Sequence, residues 1–314
     1  MRISPILRSL IALSCLAAAA GAQSAPSARD ALLVTPGWLA DHLKDPNVVV
    51  LFMGQPPDFE KGHIPGARFV DFRGISVQDS TGKGLTLEMP PAQQLHETFV
   101  KLGVSDNSRV IVYYNGRTGG PVSIATRLVM TLDHAGLGKN AALLDGGQVA
   151  WVAAGNALTT DVAAVQPGHL SALTIKPVIV TADFVRDHIA KPGFSIVDGR
   201  AAAFYDGVQT GGGQNSPHKT GHVASAKNVP YTEIVDETGK LKAADQLTAL
   251  FSKAGVAKGD TVIGYCHIGQ QATAMLFAAR TLGYPILFYD GSFEDWSRRD
   301  YPVDGPAKKS GSPE

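Results

Sequence analysis

The chain has 314 residues, a length that favours two domains of ordinary size. Lys plus Arg and Asp plus Glu are equal at 28 each, which argues against a nucleic-acid binder, because such proteins carry a basic excess. Apolar residues make up 44% of the chain, yet no window holds the ~18 consecutive apolar residues that a membrane helix needs. We therefore expect a globular protein with neither a nucleic-acid nor a membrane partner in its mature form.

The first 22 residues have the pattern of a secretory signal peptide. Arg2 and Arg8 supply a basic start, residues 10–20 form a short apolar stretch, and residues 20–22 (AGA) match a cleavage site. We predict cleavage after Ala22, and a periplasmic or otherwise exported bacterial protein.

Cleavage there leaves one thiol in the mature chain. Cys15 departs with the signal, and Cys266 remains. A lone thiol is a liability in an oxidising compartment, so its retention suggests a chemical role. The alternative is a small buried apolar residue.

The remaining chain contains three motifs that occur twice in the same order. Residues 61–67 (KGHIPGA) parallel 220–226 (TGHVASA), residues 109–114 (RVIVYY) parallel 261–266 (TVIGYC), and residues 145–151 (DGGQVAW) parallel 290–296 (DGSFEDW). Two copies are too few for a solenoid and indicate a duplicated domain. We predict domains over 31–157 and 178–304, a linker over 158–177 on the surface, and a disordered polar tail over 305–314.

Each copy alternates short apolar runs with longer amphipathic stretches. In the first copy we predict strands over 48–52, 68–71, 110–114 and 142–144, and helices over 92–102 and 122–133. In the second copy we predict strands over 195–197, 228–229, 262–265 and 286–288, and helices over 182–189, 244–254 and 271–282. This alternation predicts the α/β class, with a mostly parallel sheet covered by helices on both faces in each domain.

The segment over 207–221 (GVQTGGGQNSPHKTG) is too rich in glycine for regular structure. We expect a surface loop that borders the site of the second copy.

Cys266 stands at the carboxyl end of a predicted strand, where a tight loop leads into a helix. Sites in open α/β sheets form at this edge. A loop there can turn several backbone N–H groups inward, and the following helix adds its positive dipole end. Such a cradle stabilises a thiolate, the nucleophilic form of cysteine, or a persulfide at the centre of the loop.

With these motifs the sequence resembles the tandem-rhodanese sulfurtransferases, which include thiosulfate:cyanide and 3-mercaptopyruvate sulfurtransferases. The resemblance rests on residues 62–67, 196–200, 221–222, 265–269 and 290–296 in their order. It implies two rhodanese-like domains and a two-step exchange: Cys266 takes a sulfane sulfur from a small donor as a persulfide, and cyanide or another thiol removes it. It implies no metal or organic cofactor, and a catalytically inactive first domain, where Tyr114 stands in place of Cys266. We expect a monomer.

The resemblance also implies a substrate-binding set around Cys266. It consists of Arg200 and the loop residues His267, Ile268, Gly269, Gln270 and Gln271. For Arg200 the alternative is an ion pair with Asp198 or Asp206 that fixes its own loop. Vertebrate-type members carry a second arginine four residues further on, where this chain has Phe204, so anchoring by that route is in doubt.

The loop leaves the choice of donor open. At its ordinary pKa His267 is mostly neutral near pH 7, which weakens the attraction for a dianion. In charge the loop is similar to mercaptopyruvate-type loops, whereas the Cys-x-Ile-Gly pattern with the Asp-Gly-Ser closing motif is more similar to bacterial thiosulfate-type proteins. We favour thiosulfate, with 3-mercaptopyruvate as the alternative. A solvent-facing His267 without a role remains a further alternative.

Other functions fit the sequence less well. A cysteine phosphatase needs an arginine at the helix start, where this chain has Gln271 and Ala272. A non-enzymatic persulfide carrier remains open. His218 and His222 lie in a Gly/Ser/Pro-rich loop rather than on a helix, so we predict no metal site there. His63 and His222, like Trp151 and Trp296, recur in both copies and are interpreted as structural.

Overall fold

The structure is a computed structural model that describes residues 27–79, 81, 83–213 and 216–305. The predicted signal peptide, Cys15 and the tail beyond residue 305 lie outside the described residues. The strands of the first half are β1 (Leu33–Val34), β2 (Val48–Phe52), β3 (Arg68–Phe69), β4 (Arg109–Tyr113) and β5 (Ala141–Leu144). Its helices are α1 (Ala28–Leu32), α2 (Pro36–His42), α3 (Pro56–Lys61), α4 (Ala92–Lys101), α5 (Gly119–His134) and α6 (Gly147–Ala153).

The second half repeats this order with additions. Its helices are α7 (Ala182–Arg186), α8 (Ala202–Tyr205), α9 (Ala244–Lys253), α10 (Gln271–Thr281) and α11 (Ser292–Ser297). Its strands are β6 (Phe194–Asp198), β7 (Gly212–Gly213), β8 (Ser216–Pro217), β9 (His222–Val223), β10 (Lys227–Asn228), β11 (Thr261–Tyr265), β12 (Ile286–Phe288) and β13 (Val303–Asp304).

Each half is built on one parallel sheet. The first has the strand order β1-β5-β4-β2-β3, and the second has the order β10-β6-β11-β12. Ile179 bridges Phe288 in parallel, at the position that β1 takes beside β5 in the first sheet. The central strands are almost continuously buried, as strands covered on both faces must be. The α/β class with two mostly parallel sheets is confirmed.

The two halves share one hydrophobic core. Helices α5 and α10 pack against each other, and residues of both, including Leu128 and Met275, belong to a single buried cluster. Across this contact the hydroxyl oxygens of Thr126 and Thr273 lie 2.9 Å apart. The catalytic features expected in the second half therefore lie against a rigid surface of the first.

Most of the predicted elements are found with shifts of a few residues at their ends. The segment over 207–221 differs from expectation, because β7 and β8 pair there as a short antiparallel ribbon. The segment over 160–176 lacks regular structure but is tied to the first half, for example by the Gly168 N–H to the Val100 carbonyl at 2.8 Å. Among the described residues, no helix combines the length and apolar character needed to cross a membrane.

Candidate active site

The loop from Cys266 to Gln270 joins β11 to α10, and four of its carbonyl oxygens are held by donors outside it. The pairs are Cys266 with the Phe293 N–H at 3.0 Å, His267 with the Glu294 N–H at 2.9 Å, Gly269 with Arg127 Nη1 at 2.7 Å, and Gln270 with the Thr273 N–H at 3.1 Å. These donors come from α11, α5 and α10, so three helices fix one short loop.

The held carbonyls determine where the loop's N–H groups point. In a planar trans peptide the C=O and the following N–H lie in opposite directions, and the described chain has no cis peptide. The N–H groups of His267, Ile268 and Gln270 therefore point away from the donors, and none of them bonds to another described residue. They are free to stabilise an anion beside the N-terminal end of α10.

The closing motif clamps Cys266 from both sides. Its N–H donates to Ser292 Oγ at 3.1 Å, and its carbonyl accepts from the next residue of α11. Ser292 is held in turn by donating to the Tyr289 carbonyl at 3.0 Å, and has a φ of 52°, an unusual value for a residue other than glycine. Cys266 itself is 0% exposed, so its sulfur lies beneath the loop rather than on the surface.

Gly269 gives the loop its shape. Its φ is +83°, and a Cβ at this position would lie 2.5 Å from the Asp290 carbonyl oxygen. No other residue fits both the backbone conformation and the contact.

His267 faces the second domain's own loop rather than open solvent. Its ring meets Phe204 edge-on at a centroid distance of 4.6 Å and lies 5.7 Å from the His218 ring. A Cβ on Gly211 would lie 2.5 Å from His267 Nδ1, so the glycine-rich segment packs directly on the imidazole. The imidazole is therefore not solvent-facing, and its role in substrate binding stays a prediction.

Burial keeps both imidazoles neutral. Burial is the largest cause, and together with electrostatic repulsion from Arg200 and His218 it lowers the pKa of His267 to about 3. The pKa of His218 is also lowered, mainly by burial. Among the described residues, neither Nδ1 atom has a hydrogen-bond partner.

Arg200 lies close enough to Cys266 and His267 for its charge to affect both, and it is bonded to the end of its own strand. It is 1% exposed, its Nε and Nη2 both donate to Asp198, and Nη2 also donates to the Gly221 carbonyl at 2.8 Å. The guanidinium lies over the Phe293 ring at 4.1 Å. The ion pair with Asp198 is therefore present, and the role of Arg200 in substrate binding stays a prediction. Phe204, which stands where vertebrate-type members have a second arginine, packs against His267 and supplies no positive charge.

The remaining loop residues divide between two surroundings. Ile268 and His267 line a cavity of about 560 Å³, whose opposite wall is a hairpin of the first domain that includes Leu85. Gln270 Nε2 instead approaches Ser123 Oγ in the first domain at 3.3 Å. Gln271 carries a buried Oε1 with no partner in the described part of the chain.

The described side chains around this cavity carry one positive and two negative charges, from Arg298, Glu294 and Asp79. Arg298 is paired with Glu294 at 2.7 Å, and Asp79 faces the same space. Hydrogen bonds from the Gly84 and Thr81 N–H groups lower the pKa of Asp79 to about 2, so it is ionised. The cavity therefore lacks an uncompensated cation among its described lining residues.

The first domain fills the corresponding loop with a ring. Tyr114 is buried, and its hydroxyl donates to the Gly239 carbonyl at 2.7 Å. The loop centre that surrounds Cys266 in the second copy is thus occupied by an aromatic side chain in the first.

The histidines and tryptophans that recur in both copies have structural surroundings. His63 and His222 stack on Phe59 and Tyr205 at centroid distances of 3.9 and 3.7 Å. Trp151 and Trp296 are buried in the cores of their domains. Within the described ranges no group of three or more His, Cys, Asp or Glu side chains is arranged to hold a metal ion.

Three residues at the site were not found by sequence reasoning. Ser292 lay within a recognised motif without an assigned role, and His218 was considered only as a metal ligand. Arg127 carried a usable signal, since it is a charged residue in the middle of the apolar stretch predicted as a helix over 122–133.

Comparison with known proteins identifies the family. A sequence model of the rhodanese-like domain matches residues 35–154 and again residues 181–299. The chain therefore belongs to the rhodanese-like domain family and contains two such domains.

Several relatives match this chain over most of its length and most of their own. The sulfur carrier protein TtuD of Thermus thermophilus is 29% identical and covers 84% of this chain and 93% of its own. The 3-mercaptopyruvate sulfurtransferase of Escherichia coli is 29% identical, with coverages of 85% and 95%. The thiosulfate sulfurtransferase of Azotobacter vinelandii is 26% identical, with coverages of 87% and 97%.

The fold agrees with a solved structure of the same group. SseA of Escherichia coli, described as a 3-mercaptopyruvate sulfotransferase with a rhodanese fold, superposes with a TM-score of 0.70 at 28% identity. The match covers 83% of this chain and 98% of that one. On the combined ground of family, relatives and fold, the protein is a sulfurtransferase.

Arg200→Ala is expected to destabilise the protein by about 3–5 kcal/mol, because Asp198 would remain buried without its partner. Urea unfolding measures this change. Arg186→Ala, which breaks an exposed pair with Asp183, is the control and should cost less than about 1 kcal/mol. Equal losses in the two variants would contradict the structural assignment of Arg200.

His267 should make the protein less stable in acid. Its pKa is about 3 in the folded chain and 6.5 ordinarily, so between these values the unfolded chain binds a proton that the folded chain does not. The free energy of unfolding is therefore unaffected by this group above pH 6.5. It decreases as the pH drops through this window, by up to about 2 kcal/mol at pH 5.

Urea unfolding at pH 7.5 and 5.0 tests this expectation. His267→Gln should lose less stability between the two conditions than the wild-type protein, whereas His169→Gln, at an exposed position, controls for loss of a histidine. An identical pH dependence in His267→Gln and wild type would show that the imidazole is not held neutral by the fold.

Proposed function

We propose that the protein moves a sulfane sulfur from a small anionic donor, thiosulfate in the first place, to a thiophilic acceptor through a persulfide on Cys266. The observation that carries this proposal is the loop after Cys266, whose carbonyls are held from outside and whose His267, Ile268 and Gln270 N–H groups have no partner among the described residues. A persulfide places a negative sulfur beyond Cys266 Sγ, inside the loop. Fixed N–H dipoles at the start of α10 stabilise such a charge without reorganising.

Both steps are displacements at sulfur. The Cys266 thiolate attacks the outer sulfur of thiosulfate, the S–S bond breaks, and sulfite leaves with the bonding electrons. Cyanide then attacks the terminal sulfur of the persulfide, releasing thiocyanate and regenerating the thiolate. No oxidant or reductant is consumed, and we propose no metal or organic cofactor.

The choice of thiosulfate rests on the sequence pattern of the loop, whereas the charge of the cavity argues against a doubly charged donor. Its ionised Asp79 and the paired Arg298 and Glu294 leave no spare cation among the described lining residues for a dianion. The neutral His267 has the same effect. These features favour the monoanion 3-mercaptopyruvate as the second candidate donor.

A persulfide carrier is the remaining candidate. It is favoured by the named sulfur carrier among the relatives, at 29% identity over 84% of this chain. A carrier and an enzyme need the same loop, and they differ in whether a small acceptor completes the cycle.

One assay with two donors separates these candidates. The purified protein is mixed with thiosulfate or 3-mercaptopyruvate, thiocyanate formation from cyanide is followed, and the intact mass is measured after donor alone. We expect turnover with thiosulfate and a gain of one sulfur, about 32 Da, on Cys266. Faster turnover with 3-mercaptopyruvate would select the second donor, and loading without turnover would select the carrier.

Cys266→Ser is expected to abolish both sulfur loading and turnover while leaving the thermal midpoint within a few degrees of wild type, because the two side chains are similar in size. Thiocyanate formation and a thermal melt measure the two effects. The matched control is Ser252→Ala, at an exposed position of α9, which should retain sulfur loading. Turnover by a folded Cys266→Ser protein would refute the mechanism.

We also propose that the protein is exported to the periplasm, or secreted, as a monomer after cleavage at Ala22. The support is the basic and apolar pattern of the first 22 residues. Mass spectrometry of the amino terminus after expression in a bacterial host tests it, together with light scattering of the product. An uncleaved chain in the cytoplasm would exclude the export proposal.

A further inference from the structure

We propose that Arg127, a residue of the first domain, is a positioning residue for the Cys266 loop of the second. Arg127 lies on α5 and is 0% exposed. Its Nη1 donates to the Gly269 carbonyl at 2.7 Å and also contacts Asp290, with which it forms a buried ion pair. The proposal rests on the proposed role of Cys266 and assigns work to the domain that lacks a catalytic thiol.

Peptide geometry links this contact to the site. Because the Gly269–Gln270 peptide is trans, holding the Gly269 carbonyl toward Arg127 turns the Gln270 N–H in the opposite direction, away from Arg127. Gly269 has a φ of +83°, and a glycine backbone can adopt this and many other conformations more easily than any other residue. An external hold on its carbonyl is therefore needed to keep one orientation.

Comparing the two copies of the domain distinguishes a role at the loop from a role in packing the interface. In both copies the aspartate of the closing motif accepts an N–H from the opposite domain. Leu241 donates to Asp145 at 2.9 Å, and Met89 donates to Asp290 at 2.6 Å. That part of the interface is symmetric and needs no arginine.

The arginine is not symmetric. Gly119 and Gln271 begin α5 and α10 at equal distances along the chain from Tyr114 and Cys266, so Ala279 corresponds to Arg127. The domain with the thiol thus receives a guanidinium on its loop, whereas the loop around Tyr114 receives none from the equivalent position.

Stabilisation of the interface between the domains does not by itself explain why a buried arginine stands at position 127. Removing a guanidinium and a carboxylate from water costs several kcal/mol per ion, and a buried ion pair often does no better than apolar side chains of similar volume. Arg127 Nε is also without a partner among the described residues. A buried arginine that is only partly satisfied, and that bonds to the one glycine carbonyl of the loop, fits a role in the site.

The test compares Arg127→Lys and Arg127→Gln with Arg280→Gln. Lysine preserves a positive charge for Asp290 but not the forked donor that serves Asp290 and Gly269 together. Arg280 on α10 pairs with Asp133 on α5 at 3.2 Å, so the control removes another interdomain ion pair that does not contact the loop. The readouts are the rate of Cys266 alkylation by iodoacetamide at pH 7, followed by peptide mass mapping, the kcat and KM with thiosulfate, and the thermal midpoint.

We expect both Arg127 variants to slow alkylation and to lower kcat about tenfold or more, with a smaller change in KM. A displaced N–H stabilises the anionic sulfur less, whereas it affects the binding of the donor to a smaller extent. Arg280→Gln should lower the thermal midpoint and leave the alkylation rate and kcat unchanged. Arg127→Lys keeps the test valid if Arg127→Gln does not fold.

Wild-type alkylation and kcat in a folded Arg127→Lys protein would overturn the proposal, as would an equal loss of both in Arg280→Gln. Alkylation is measured without a sulfur donor. If the wild-type protein transfers no sulfur but the Arg127 variants still alkylate slowly, the proposed function fails while the positioning role stands.

Discussion

The loop after Cys266 keeps its N–H groups free because its carbonyl groups are occupied from outside. Phe293 and Glu294 of the closing motif hold the first two carbonyls, and Arg127 holds the Gly269 carbonyl. A planar peptide cannot satisfy its C=O in one direction without turning its N–H in the other. The preorganised site is thus a consequence of backbone hydrogen bonding around the loop more than of charged side chains within it. This suits a reaction whose intermediates carry negative charge on sulfur.

The two copies share their geometry, but only the second carries a cysteine at the end of its central strand. The first domain presents Tyr114 where the second presents Cys266, and the Tyr114 hydroxyl donates to the Gly239 carbonyl of the other domain. Each domain extends a hairpin toward the other, closed by the Val77–Glu88 bridge in the first domain and by the Val235–Leu241 bridge in the second. Each closing-motif aspartate accepts an N–H from the end of the opposite hairpin. The apolar contact of α5 with α10 joins the two domains through one buried cluster, and each domain has a second cluster of its own. A first domain without a nucleophile is therefore still part of the site's construction.

The charge of the site is low for one that is proposed to bind an anion. Burial holds His267 and His218 neutral, Arg200 is committed to Asp198, and Arg298 to Glu294. Attraction for a donor must then come from oriented N–H dipoles, which act at short range. Such a site distinguishes donors by fit against the loop and the Leu85 hairpin more than by net charge.

The sequence by itself determined the α/β class, the two copies, the strand end that carries Cys266 and the replacement of cysteine by Tyr114. These follow from periodicity and motif order, which are local properties of the chain. Only the tertiary structure decided that Arg200 pairs with Asp198, that His267 meets Phe204 and His218, and that Arg127 reaches the loop. The last contact joins residues of different domains, 163 positions apart between Arg127 and Asp290. Sequence spacing does not specify such a contact, because it depends on how two finished domains pack.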